Sequence, residues 1–112
     1  MIRSSRSRRA TLKARATANR AASRINRRGT GTLAAHAMAQ GLSHRDATSV
    51  AGTLRKTAAK LGITGTSGRV HAGRRMRNCV RYTPQQVGLI ALAYRPRKPA
   101  YRIVAARLAL AA

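Results

Sequence analysis

The chain is 112 residues long and sets twenty Arg and four Lys against one acidic residue, Asp46, for a formal charge of +23 at pH 7. That charge cannot be neutralised internally, so an anionic partner is expected, and a phosphodiester strand is the natural one because each contact releases condensed counterions. One carboxylate side chain excludes the paired acids of metal-dependent nucleases and general acid–base enzymes, so neither enzymatic activity nor a cofactor is expected.

Phe and Trp are absent and Tyr numbers three, so the core must be built from Leu, Ile, Val, Met and Ala. Such a core suits closely packed helices and predicts a mainly α chain. Residues 1–31 read as a basic arm, rich in Arg, Ser and Ala, with ten basic residues and no acid. Ala14, Ala18, Ala21, Ala22 and Ile25 fall at helical spacing, but like-charge repulsion predicts an arm that is disordered, or helical only when bound to phosphates. The same composition suits a transit peptide, except that the charge excess continues to Arg107. Arg27-Arg28-Gly29-Thr30-Gly31 marks the boundary, and residues 32–112 form the expected folded domain.

Thr32 opens a short helix, Leu33 to Gln40, closed by Gly41. Ser43 and Asp46 then have the spacing of a capping box, in which each side chain satisfies the other residue's backbone amide. The second helix carries Ala47, Val50, Ala51, Leu54, Ala58 and Leu61 at intervals of three and four, and ends at Gly62. From Ile63 to Thr83 glycines interrupt the pattern. The stretch Arg74 to Tyr82 is either a basic loop or a small hairpin, its alternation of basic and apolar residues favouring a strand. Thr83-Pro84-Gln85-Gln86 is a firm helix start, and that helix should reach about Tyr94. After the break at Arg95-Pro96-Arg97-Lys98-Pro99, a last helix from Ala100 to Leu110 turns Tyr101, Val104, Ala105 and Leu108 to one side. Its Leu108 and Leu110 are the candidate surface for a homodimer.

The segment around Gly41 reads Ala37, Gly41-Leu42-Ser43, Ala47-Thr48 and Val50, or Ala-x3-Gly-Leu-Ser-x3-Ala-Thr-x-Val. This spacing resembles the helix-turn-helix of bacterial, phage and mobile-element DNA-binding proteins, over roughly residues 33–62, although His36 and Gln40 stand where that family is more often apolar. A second register places the turn at Gly52-Thr53, with Leu54 to Leu61 as the reading helix. In the favoured first register the resemblance implies that Ser43, His44, Arg45, Thr48 and Ser49 read base edges in the major groove. The hairpin would correspond to a wing, and the arm to segments that follow the backbone. Phosphate contacts are then expected from Arg6, Arg8, Arg9, Arg15, Arg20, Arg24, Arg27, Arg28, Arg55, Lys56, Arg69, Arg74, Arg75, Arg77 and Arg81.

The function expected is therefore a non-enzymatic one on double-stranded DNA: a transcriptional regulator or recombination accessory factor, cytoplasmic and nucleoid-associated. A structural protein on folded RNA, such as a ribosome-associated one, explains the charge equally well, and a cationic protein acting on anionic membranes is a third class. No apolar run approaches the ~20 residues of a membrane span. His36, His44, His71 and Cys79 match no zinc spacing, so no metal is expected, and Cys79 reads as a small buried hydrophobe. His71-Ala72-Gly73-Arg74 matches the short His-x-x-Arg element of tyrosine recombinases, with Tyr101 downstream, but the rest of that site is missing and His71 reads as a loop residue.

Overall fold

The computed structural model describes residues 2–72 and 75–110, with side-chain environments for 5–69 and 78–110. The chain runs α1 (Ile2–Arg28), α2 (Leu33–Ala39), α3 (His44–Leu61), β1 (Thr66–Ala72), β2 (Arg75–Arg81), α4 (Pro84–Ala93) and α5 (Pro99–Leu110). It is mainly α, with one antiparallel hairpin in which Thr66 stands opposite Arg81 and Ala72 opposite Arg75.

The helix ends follow local chemistry. Thr32 Oγ1 accepts from the amide of Ala35, Ser43 Oγ from that of Asp46, and Thr83 Oγ1 from that of Gln86, each occupying one amide at an open helix start. At α4 the box is complete, because Gln86 Oε1 accepts from the Thr83 amide in return. At α3 it is not. The Asp46 carboxylate instead accepts from the Tyr101 hydroxyl at 3.3 Å, so the sole acidic side chain ties α3 to α5. Gly41 makes the turn between α2 and α3 at φ +103°, a conformation that a side chain would strain.

Two sequence expectations are corrected here. There is no turn at Gly52-Thr53: α3 passes straight through both residues, because Val50, Ala51, Leu54 and Ala58 make one continuous apolar stripe that is buried along its length. His71 is not in a loop but on β1, paired with Met76.

Residues 2–28 form one 27-residue helix, and its last turns are part of the folded body. Ala21 and Ile25 are buried, and Ile25 shares a small cavity with His36, Val87 and Leu108. That docking supplies a helical nucleus which an isolated basic peptide would have to form unaided, and the Ala-rich sequence extends it toward the N-terminus. Gly31 is needed beside it, since a Cβ there would lie 2.7 Å from Ile25 Cγ1. The end of α1 thus packs on the body ahead of Thr32, while residues 5–16 are exposed throughout.

The core gathers Leu33 and Ala37 from α2, the stripe of α3, Val87, Ile90 and Ala91 from α4, and Val104, Ala105 and Leu108 from α5. Leu54, Ile90, Val50 and Val87 are its largest fully enclosed side chains. Leu108 is thus core and not a free association surface, because α5 must turn Val104 and Leu108 inward to close the body. Leu110 is 86% exposed, and Leu89, Leu92 and Ile103 are also outside.

Candidate nucleic-acid interface

The α2–α3 pair is held at its turn by α5. Arg107 Nη1 donates to the carbonyl of Gln40, at the end of α2, and Tyr101 grips Asp46 in the first turn of α3. Lys98 lies 5.2 Å over the Tyr101 ring. Two α5 side chains therefore reach both sides of Gly41, Arg107 at 3.5 Å and Tyr101 at 3.3 Å.

Ala47, Val50, Ala51, Leu54 and Ala58 hold one face of α3 in the core, and the opposite face is open. Ser43, His44, Arg45, Thr48 and Ser49 are all exposed at its N-terminal end. They are not equivalent. Ser43 Oγ is committed to the cap, and the Thr48 hydroxyl donates to the His44 carbonyl at 2.8 Å, leaving it only as an acceptor. At about 100° per residue, Arg45 and Ser49 lie on the outer face while His44 and Thr48 lie toward one edge. Arg45 is the one Arg or Lys among these five. Asp46, its neighbour in sequence, is occupied by Tyr101 and half-buried.

Helix α1 adds a feature that composition alone conceals. Arg6, Arg9, Lys13, Arg20, Arg24 and Arg27 fall within about 60° of helical arc, forming one stripe about 30 Å long. All six are exposed. Lys13 was not among the sequence candidates, yet its spacing of four from Arg9 and seven from Arg20 is the signal that finds it. Arg8 and Arg15 lie on another side of α1, and Arg28 at the stripe's margin.

The hairpin is tied to the helices at its base. Gly31 and Tyr82 exchange backbone hydrogen bonds of 3.0 and 2.7 Å, and Gln86 Nε2 donates to the Thr64 carbonyl. His36, buried in α2, donates through Nε2 to the Tyr82 carbonyl at 2.8 Å. Burial holds that imidazole below its ordinary pKa, partly countered by the carbonyls of Tyr82 and Gly31. His36, one of the two residues that depart from the helix-turn-helix spacing, thus adds a side-chain tie between α2 and the base of the hairpin.

Between hairpin and helices lies an open cleft of about 700 Å³, with Arg55 of α3 and Arg69 of β1 on its walls and Leu33, Val80 and Tyr82 among its apolar lining. Lys56 is exposed on the outer face of α3. Arg81 is partly committed, its Nη2 donating to the Arg69 carbonyl at 3.3 Å. Cys79 is half-buried at the cleft and not in the core, because β2 stands away from the helix cluster. Arg74 lies outside the described residues; the backbone places Arg75 and Arg77 on β2, and their side chains are likewise outside the description.

Exposed cations thus lie on α1, α3 and the hairpin, and the molecule's one acidic side chain hydrogen-bonds to Tyr101. Among the described residues no helix is long and apolar enough to cross a membrane. Comparisons with protein-family models, with curated proteins and with solved structures returned no match.

Proposed function

We propose that this chain is a non-enzymatic protein that binds duplex DNA, laying the outer face of α3 against the major groove while α1 and the hairpin hold phosphates. The observation that supports this most directly is the pair α2–Gly41–α3 braced by Arg107 and Tyr101, which turns Arg45 and Ser49 away from the core on an otherwise unneutralised surface. No chemistry is required of it: occupancy or bending of the duplex is the activity, as in a transcriptional regulator or a recombination accessory factor associated with the nucleoid. Reading of a twofold site requires two copies, and sedimentation of the complex gives that stoichiometry.

The test is a titration with mixed genomic duplex, structured RNA and anionic vesicles at 50 and 200 mM salt. With six or more phosphate contacts, duplex affinity should fall about a thousandfold or more between those salts. Selection from random duplex should then return a preferred site. Tighter binding to structured RNA favours the second reading, a structural role on folded RNA. A specific observation supports that reading too: α1 carries cations on more than one side, which suits phosphates approaching from several directions. Indifference to both polynucleotides with ordering on vesicles would refute the proposal.

A further inference from the structure

Most of the chain's glycines have an internal reason to be glycine. Gly29, Gly41 and Gly62 adopt positive φ, and a Cβ on Gly31 or Gly65 would stand 2.5 to 2.7 Å from its neighbours. Gly52 has neither reason. It sits in the middle of α3 without positive φ, and a Cβ built on it meets nothing within 4 Å. A mid-helix glycine weakens a helix relative to alanine, through the backbone entropy lost on folding. The fold bears that loss without any return inside the molecule.

Position decides where the return lies. Gly52 is seven residues after Arg45, three after Ser49 and four before Lys56, so all four share about 60° of arc on the face opposite the core. Arg45, Ser49 and Lys56 are exposed. Along the axis, Gly52 lies about 10 Å from Arg45 and about 6 Å from Lys56. The outer face therefore has a cation toward each end and bare backbone between them. Such a face offers a donor for a base edge and a cation for a phosphate, with a gap between them into which one groove wall can come close to the helix backbone.

We infer that one phosphodiester strand of the bound duplex crosses α3 at Gly52, in van der Waals contact with the helix backbone and anchored by Lys56, while Arg45 reaches the groove floor. This rests on the duplex-binding proposal and deepens it. The reading surface extends past the five residues at the start of α3, and Gly52 sets how closely the helix can approach.

The test compares Gly52→Ala and Gly52→Gln with Thr53→Gln, a control of equal bulk about 100° around the same helix. Gly52→Ala should raise Tm by about 2 to 8 °C while weakening duplex binding about tenfold. Gly52→Gln should weaken binding further with Tm at or above the parent's, and Thr53→Gln should change affinity less than about threefold. Parent-like affinity in both Gly52 variants overturns the crossing and leaves duplex binding intact. A lower Tm in Gly52→Ala shows an internal need for glycine and overturns it as well. No duplex binding by the parent removes the underlying proposal itself.

Discussion

Replacing Arg9 by Glu separates the stability of α1 from its role in binding. In the register of α1, Arg9 is three residues after Arg6 and four before Lys13, so it takes part in two like-charge contacts on an exposed helix face. Each such contact destabilises a helix by about 0.2–0.5 kcal/mol, and each opposite-charge contact stabilises it by a similar amount. Arg9→Glu converts both, and it sets the new carboxylate N-terminal to Lys13, the better orientation for a pair four residues apart. The swing is about 1–2 kcal/mol in favour of the helix at low salt, and it shrinks as added salt screens the charges. The same change breaks the stripe of six cations and lays a negative charge on it. With a contribution of about 0.9 per neutralised phosphate, the slope of log affinity against log salt should become shallower by about 1 to 2. Far-ultraviolet circular dichroism should show equal or greater helix content in Arg9→Glu, and fluorescence anisotropy should show weaker, less salt-sensitive binding to every duplex sequence. An unchanged slope would refute the placement of this stripe on phosphates. A loss of helix content would refute the register.

Three further outcomes are expected. Arg45→Ala should relax base preference at one or two positions of a selected site, at about 1–3 kcal/mol, whereas an equal loss on all sequences would place Arg45 on phosphate. Leu54→Ala empties a fully enclosed position and should lower stability in thermal denaturation by about 2–5 kcal/mol; a loss below about 1 kcal/mol would contradict the core. His36 gives a pH dependence whose sign follows from its lowered pKa. Below its ordinary value of 6.5 the unfolded chain takes up the proton before the folded one does, so stability is complete above that pH and declines as acid is added. A pH series of thermal unfolding should show this decline in the parent and a flatter profile in His36→Gln, and equal profiles would refute the assignment.

Much of the fold is legible because the signals are local. Thr32, Ser43 and the Thr83-Pro84-Gln86 box mark helix starts with side chains that reach amides three residues away, and Gly41 and Gly62 mark ends by backbone conformation. The stripe from Ala47 to Ala58 shows which face of α3 is buried before any partner helix is known. The partner surfaces are less legible. Asp46 has the spacing of a capping box, but a tyrosine 55 residues away claims its carboxylate. Leu108 and Leu110 look alike in sequence, yet one is 4% exposed and the other 86%, because the angle at which α5 docks selects between two residues of one helix end.

The charge, the helical class and the limits of α2 to α5 were determined by the amino-acid sequence alone, since each depends on composition or on groups within one helical turn of one another. Tertiary packing decided that the last turns of α1 join the body, that α5 reaches both sides of the turn at Gly41, and that Arg55 and Arg69 share a cleft. Those outcomes depend on which distant surfaces bury one another. Burial of Ala21 and Ile25, the latter beside His36, Val87 and Leu108, favours the helix in a segment whose own charges oppose it, and the helical spacing inside residues 1–31 does not say which surfaces cover it.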